Sequence, residues 1–484
     1  MGHSKAMSAR ERIECLLDAQ SFIEIGASVH ARSTDFNMLS KNTPADGVIT
    51  GYGTIDSNLV YVFSQDASVM GGSIGEMHAR KIEKVYDLAM KTGAPVIGMY
   101  DCAGLRLQEA TDALDALGRL YMKQTTASGV IPQYAAVFGQ CGGGTALLTS
   151  LSDFTFMLSE NASLFVNAPN TLDGSSAEKC DCGSAAFQSR ESGNADCVCD
   201  SEEELLEQLR GLILMLPFNH EDVLVYDGCA DDLNRKTSDL SAAADAADVL
   251  KELSDNGQYI EIKGNYAREM VTAFVKLNGL TVGAVANRSA VTDDEGNIVE
   301  EFKTVLTAES MEKAADFVRF CDAFAIPVLT LVQTNGFETT VCAEKRTARA
   351  AAKLMHTFAE TTSPKITLIA GEAYGSAYLT MNSGHIGADM VFAWPSSSIG
   401  MMRSDKAVKI IYNEEINASD DAQALIAEKT AAYEALQTSP EAAAGRGYVD
   451  AVIAPEDTRQ HLIAALEMLY TKRAVCPPKK HSTL

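Results

Sequence analysis

The chain alternates between two hydrophobic spacings. Residues 8–17 read as a short helix that leads into the extended stretch Ser21-Phe22-Ile23-Glu24-Ile25. Residues 46–63 form two β-rich runs around Asp56-Ser57-Asn58, which supplies the turn of a hairpin. Ile82, Val85, Leu88 and Ala89 recur at helical spacing, so residues 76–91 are expected to form an amphipathic helix. Residues 95–100 read as a buried strand and 101–106 as a loop, and strands and helices keep alternating to about Phe165, the pattern of α/β layers. Residues 201–216 make a helix with an acidic start, ended by Pro217. Residues 457–470 make the last helix.

Two apolar runs end in the same way. Tyr134-Ala135-Ala136-Val137-Phe138 opens into Gln140-Cys141-Gly142-Gly143-Gly144-Thr145 and then Ala/Leu-rich sequence. Lys365-Ile366-Thr367-Leu368-Ile369-Ala370 opens into Glu372-Ala373-Tyr374-Gly375-Ser376-Ala377-Tyr378. Each reads as strand, tight turn and helix start, where backbone N–H groups are left to hold an oxyanion. The surroundings repeat too. Gly93-Ala94-Pro95-Val96 is matched by Ala325-Ile326-Pro327-Val328, Ile131-Pro132 by Ser363-Pro364, and the stretch holding Asp153 by the one holding Asp389. One α/β unit, duplicated, is the economical reading. Residues 227–247, rich in Asp, Ser and Ala, are the linker candidate, with the division placed as 1–240 and 241–484.

Composition adds exclusions. The 484 residues exceed one ordinary core. A net charge of −25 argues against a nucleic-acid partner, because a phosphate backbone needs a basic footprint. No apolar run approaches a bilayer span and the charged start lacks the core of a signal peptide, so a cytoplasmic protein without membrane insertion is expected. The 11 cysteines then read as reduced thiols. Among them Cys180, Cys182, Cys197 and Cys199 could form a four-thiolate zinc site, although C-x-C spacing suits free surface thiols better.

Standard signatures contribute little. There is no G-x-x-x-x-G-K-[ST] and no H-E-x-x-H. Gly71-Gly72-Ser73-Ile74-Gly75 matches a nucleophile elbow, but residues 65–70 separate it from its strand and no His is placed as base, so glycines for tight packing are the preferred reading. Cys141 at the turn could be an acyl-accepting thiolate, against which stands a small buried Cys filling the turn. Arg80, Lys81 and Lys84 lie on the helix after the glycines, either as a solvated face or as a contact for ligand phosphate.

The block from Gln65 to Ile82, with Asp101 to Glu109, Gly129 to Thr145, Phe317 to Phe324 and Ala373 to Pro395, resembles the carboxyltransferase subunits of biotin-dependent acyl-CoA carboxylases and decarboxylases, of the propionyl-CoA carboxylase beta and methylmalonyl-CoA decarboxylase alpha type. The resemblance implies an α/β fold of two tandem ClpP/crotonase-like domains of ββα-type superhelical architecture. It further implies a homo-hexamer built as a trimer of dimers, with the acyl-CoA side in the first domain and the biotin side in the second. By the resemblance, the amides of Gly143 and Gly144 hold the thioester enolate and those of Ser376 and Ala377 hold the biotin ureido oxygen. Gly104, Leu105, Arg106, Arg80, Lys81, Gly375 and Leu379 fall at cofactor-binding positions, and no metal is implied. Without a Met-Lys-Met attachment sequence, biotin is expected on a separate carrier protein, with biotin carboxylase or membrane decarboxylase subunits as further partners.

Several positions depart from the family pattern. Leu105 stands beside the expected acyl pocket and, with Leu379, predicts an apolar site for a small or medium acyl chain without a distal charge. Ser376 replaces a common Gly, Gln188 and Asp196 stand where His is common, and residues 334–353 are rewritten on the expected biotin side. Two alternatives follow: a biotin-independent crotonase-type thioester hydrolase or decarboxylase, and a non-catalytic scaffold subunit.

Overall fold

After α1 (Ala9–Leu16), whose Ser8 and Glu11 close a capping box, the chain enters β1 (Ile23–Ile25). That strand pairs antiparallel with β2 (Val48–Ile55), and β2 with β3 (Asn58–Gln65). The expected hairpin turn is present, with Asp56 and Ser57 both at positive φ as a two-residue turn of this hand requires. From β3 onward the pairing is parallel, each crossover carrying a helix. The order is α2 (Glu76–Thr92), β4 (Val96–Cys102), α3 (Ala110–Ala127), β5 (Gln133–Gly142), α4 (Gly144–Ser150) and β6 (Phe154–Leu158). β7 (Ser163–Phe165) pairs with the end of β5, then α5 (Ala185–Arg190), β8 (Cys197–Cys199) and α6 (Glu202–Met215) close the first sheet in the order β1-β2-β3-β4-β5-β6-β8.

The computed structural model describes residues 6–32, 36, 38–173, 181–222, 228–238, 240–293, 295–474, 476–480 and 482–483. It divides into two units, Met1–Val223 and Leu224–Leu484. The segment expected as a linker is partly docked on the second unit, because Thr237 N–H donates to the Glu456 carbonyl and Arg235 to that of Glu252.

The second unit repeats the plan. α7 (Ala246–Leu253) leads to β9 (Tyr259–Glu261), the hairpin of β10 (Met270–Leu277) and β11 (Leu280–Asn287), and a separate ribbon of β12 (Ala290–Thr292) and β13 (Ile298–Glu301). Next come α8 (Ala308–Ala323), β14 (Val328–Thr334), α9 (Val341–Glu360), β15 (Lys365–Tyr374), α10 (Gly375–Thr380), β16 (Met390–Ala393) and β17 (Ser398–Gly400). The helices α11 (Ser404–Ile411), α12 (Asn413–Ala418), α13 (Ala422–Tyr433) and α14 (Pro440–Gly445) precede β18 (Ala451–Val452) and α15 (Thr458–Leu469). Its sheet order, β9-β10-β11-β14-β15-β16-β18 with β17 on β15, mirrors the first strand for strand. All residues of β10 and β11 are buried, as strands covered on both faces must be.

Even the polar fastenings are duplicated. An Asp accepts the N–H of the first residue of the neighbouring strand and donates its own N–H back: Asp153 with Gln133 at 2.7 and 2.8 Å, and Asp389 with Lys365 at 2.7 and 2.8 Å. Asp196 makes the same two bonds to Thr155 and Asp450 to Val391, each the second residue of its strand. The sixth residue after each N-cap of α2 and α8 is a buried lysine, Lys81 or Lys313, whose ammonium sits on backbone carbonyls. Burial pushes the pKa of Lys81 down to about 8 and that of Lys313 to about 7.

The start of α2 rests on a buried charge cluster. Asp46 accepts the N–H of His78 at 2.7 Å and Glu109 that of Glu76 at 2.6 Å, so two carboxylates cap the helix. Arg106, fully buried, bonds Asp46 at 2.5 Å, Glu109 at 2.9 Å and the Ser73 carbonyl at 2.8 Å. A side chain at Gly75 would lie 2.4 Å from Glu109 Oε1, which explains that glycine by packing. His78 donates Nδ1–H to the Asp46 carbonyl at 3.0 Å and accepts from Gln65 at 3.2 Å, and burial pushes its pKa down to about 3, so the ring is neutral.

Two outcomes follow. Arg106→Met strands two buried carboxylates and should cost about 3–5 kcal/mol in urea unfolding, whereas a loss below about 1 kcal/mol would place the charges in water. Burial raises the pKa of Asp153 to about 7, so the stability it contributes is complete below its ordinary value of 3.8 and is lost as the pH rises through 7. Asp153→Asn should therefore flatten the decline of Tm across that window by calorimetry, and parallel curves would assign the slope to another group.

Candidate functional site

β5 and β15, each ten residues long, run past their neighbours and end in the two predicted turns. The three glycines of the first turn are needed for three reasons. A side chain at Gly142 would strike the Phe165 ring at 2.7 Å, and one at Gly144 would strike Leu117 at 2.5 Å. Gly143 has φ +65° and ψ −129°, which L side chains avoid, and a Cβ there would meet no atom within 4 Å. The turn is thus open on the Gly143 side and packed on the other two. Thr145 Oγ1 closes it from behind, donating to the Gly142 carbonyl at 2.7 Å, while Tyr121 donates to that of Gly144 at 2.8 Å.

In the second turn Gly375 takes φ +60°. Pairing of β7 on β5 and of β17 on β15 makes Gly142 equivalent to Tyr374, hence Gly143 to Gly375 and Gly144 to Ser376. The predicted pairs Gly143–Gly144 and Ser376–Ala377 are therefore one residue out of step. The Gly143 N–H is moreover engaged, donating to the Phe165 carbonyl at 2.8 Å. The first helical amide, which has no carbonyl one turn back within the helix, is that of Gly144.

A second loop stands beside each turn, and the pair is again equivalent. Gly104, at φ +105°, is joined to Ile74 by paired bonds (Ile74 N–H to Gly104 O, Arg106 N–H to Ile74 O, both 2.9 Å), and its Cβ position is 3.7 Å from the Gly142 carbonyl. Gly336, at φ +143°, is joined in the same way to Leu306 (Leu306 N–H to Gly336 O, Glu338 N–H to Leu306 O, both 2.9 Å). Cys102 Sγ beneath the first loop is matched by Thr334 Oγ1 beneath the second, each taking the glycine N–H at 3.3 and 3.4 Å.

Around the second turn lies a cavity of about 410 Å³ lined by Asn335, Gly336 and Phe337, by Tyr374, Gly375, Ser376 and Ala377, and by Met401, Met402, Arg403 and Lys406. Ser376 is exposed there and Ala377 buried. The 401–406 wall was not singled out from the sequence. The only signal was a Met-Met-Arg between a short strand and a helix, which carries no motif.

The remaining predicted residues separate. Leu105 is partly buried, Leu379 is 36% exposed, and Arg80 is exposed and paired with Glu76 at 2.7 Å. Lys81 and Arg106 are turned inward, with their charges satisfied by Ala45 and Val48 carbonyls and by Asp46 and Glu109. Ser73 Oγ is buried beside Arg106 Nε at 3.4 Å, a packing role. Cys141 is buried and its thiol pKa is pushed up to about 12, which removes it as a nucleophile at neutral pH. Cys197 and Cys199 lie 3.8 Å apart beside Gln208, and Cys180 is outside the described residues. Among the described residues no group of three or more His, Cys, Asp or Glu is arranged to hold a metal. Gln188 donates to the Leu164 and Cys182 carbonyls. Among the same residues no helix is long and apolar enough to cross a membrane.

Comparison with known proteins agrees with this geometry. The model of the carboxyl transferase domain family matches residues 4–484. The alpha subunit of methylmalonyl-CoA decarboxylase from Propionigenium modestum is 38% identical, over 99% of this chain and 93% of its own. The propionyl-CoA carboxylase carboxyltransferase subunit of Haloferax mediterranei is 40% identical, over 100% and 94%. The crystal structure of transcarboxylase 12S, a hexamer with hydrolysed methylmalonyl-CoA bound, superposes with a TM-score of 0.91 at 38% identity, over 99% of this chain and 92% of that one. With its two equivalent halves, each a crotonase-like unit ending its longest strand in a glycine turn, the chain belongs to the carboxyl transferase domain family.

Proposed function

We propose that this chain is the carboxyltransferase component of an acyl-CoA carboxylase or decarboxylase, moving carboxylate between the α-carbon of a small or medium acyl-CoA and biotin on a separate carrier protein. The observation that carries the reading is a family match spanning both halves, each with the turn that the chemistry needs in the same place. Relatives that act on methylmalonyl-CoA and propionyl-CoA in either direction support the substrate class. Residues 1–240 are assigned the acyl-CoA side and residues 241–484 the biotin side.

The chemistry asks for little from side chains. When the α-carbon–carboxylate bond breaks, its electron pair moves onto the thioester oxygen as an enolate. The Gly143–Gly144 turn would hold that oxygen through the Gly144 amide, with the open side of Gly143 leaving room for the thioester. An organised donor of this kind lowers the barrier by about 3–4 kcal/mol. When bound, biotin would supply an N1 nitrogen that exchanges its proton for the carboxylate, so that the α-carbon is protonated as N1 is carboxylated and the reverse in the other direction, and the amides at Ser376 and Ala377 would hold its ureido oxygen. Leu105 and Leu379 would give the acyl pocket its apolar lining, and Gly104 and Gly375 would keep the two loops close to the ligands. Arg80, exposed although paired with Glu76, and the exposed Lys84 are the cations of α2 that face outward toward a CoA phosphate. The chain would work in the cytoplasm as a homo-hexamer, with a biotin carrier protein and further carboxylase or membrane decarboxylase subunits as partners.

The test is turnover of malonyl-, methylmalonyl- and longer carboxyacyl-CoAs with and without a biotinylated carrier. Biotin-dependent loss of carboxylate is the expected result. Biotin-independent turnover would transfer the assignment to a crotonase-type hydrolase or decarboxylase, and silence without CoA binding would leave a scaffold. Gly143→Ala places a methyl in the open space before the turn and should lower kcat by roughly 10²-fold or more, with Tm falling only by the strain of a positive φ. An unchanged kcat would move the oxyanion site elsewhere.

A further inference from the structure

The wall of the second-turn cavity contradicts the charge of the rest of the chain. The sequence carries 65 acidic and 40 basic residues, yet the described residues lining this cavity include two cations, Arg403 and Lys406, and no carboxylate. The two cations are not equivalent. Arg403 is engaged by Asp405 at 3.1 Å and by Glu372 at 3.9 Å, and these neighbours offset its charge. Lys406 has no ion-pair partner among the described residues and stands in the first turn of α11, a helix whose start is tied to Thr438 by the buried Ser404 hydroxyl at 3.2 Å. An unpaired ammonium facing a cavity that already presents the backbone donors of the Gly375 turn makes a site for an anion.

Resting on the biotin-side reading above, we infer that Lys406 is a specificity-determining residue that recognises the carboxylate while it is attached to the ureido ring. It sets the preference of this cavity for the loaded over the unloaded carrier. A ring held at its ureido oxygen by the Ser376–Ala377 turn needs a cation for the neighbouring carboxylate, and the 410 Å³ of the cavity is within the usual range for a small heterocyclic ligand. The flexible four-carbon stem of lysine suits a charge that arrives and leaves in each cycle, as a point contact rather than a bidentate clamp.

The experiment is calorimetric titration of the purified protein with biotinamide and with its N1-carboxymethyl derivative, whose side-chain carboxylate is blocked so that the two differ in charge only at the ring. The wild type should bind the ring carboxylate roughly tenfold more tightly, the scale of one charge-assisted hydrogen bond. Lys406→Gln should erase that preference and Lys406→Arg should retain it, with Tm unchanged in both because the side chain is exposed. Equal binding of the two probes by the wild type, or a preference that survives Lys406→Gln, overturns the assignment of Lys406 and leaves the biotin-side reading standing. Failure of the wild type to bind either probe overturns the biotin-side reading itself, and this inference with it.

Discussion

One backbone constraint organises both halves: a strand must end abruptly, with its last residue still hydrogen-bonded to a short neighbouring strand, while the next residue turns into a helix. Only positive φ allows this, and Gly143 and Gly375 supply it. The rest of each unit serves to hold that point. β7 and β17 pin the last residues of β5 and β15, so the turn cannot relax by fraying. The glycine loops after β4 and β14 close in from the next strand, each through a pair of 2.9 Å backbone bonds.

Rigidity at the turn is obtained from buried polar groups rather than from surface contacts. Asp46, Arg106 and Glu109 cap α2 and at the same time fix the loop that carries Gly104, because Arg106 lies two residues beyond it. A buried charge cluster is poor value as net stability, but it penalises every arrangement in which one member is displaced. The lysines at the sixth position of α2 and α8 do the same with carbonyls of the segments that lead into β2 and β10, in two halves whose side chains otherwise differ widely. This is why a lysine next to a glycine-rich turn need not be a phosphate contact.

Much of the fold was legible. The hairpin, the α2 period, the parallel run and the internal duplication each rest on local patterns that the structure respects down to the four aspartate clips. What stayed hidden is what depends on register and on side-chain direction. Gly143 and Gly144 read as two equal donors, but only the pairing of Gly142 with Phe165 shows that the first amide is consumed. Lys81 and Arg106 share a sequence neighbourhood with the exposed Arg80, and nothing in the spacing says that two of the three turn inward. The 401–406 wall lies about thirty residues from the Gly375 turn along the chain, too far for any local pattern to link them.

The second half bears most directly on whether the chain is a catalyst. Its loop at residues 334–338 lies in the rewritten stretch 334–353, which reads as degeneration when sequence alone is considered. Its backbone has lost nothing: Gly336 bonds Leu306 as Gly104 bonds Ile74, at the same distances, and a side-chain hydroxyl replaces a thiol beneath it. A loop released from function would not be expected to keep positive φ at its glycine and both bonds to its neighbour, because each restricts the chain at an entropic cost. A cavity whose donors are backbone amides is also indifferent to many side-chain changes around it, provided the strand end and the glycine persist. Rewritten side chains on a backbone that matches its counterpart in the first half are thus the expected trace of altered ligand contacts, and they weigh against an idle scaffold.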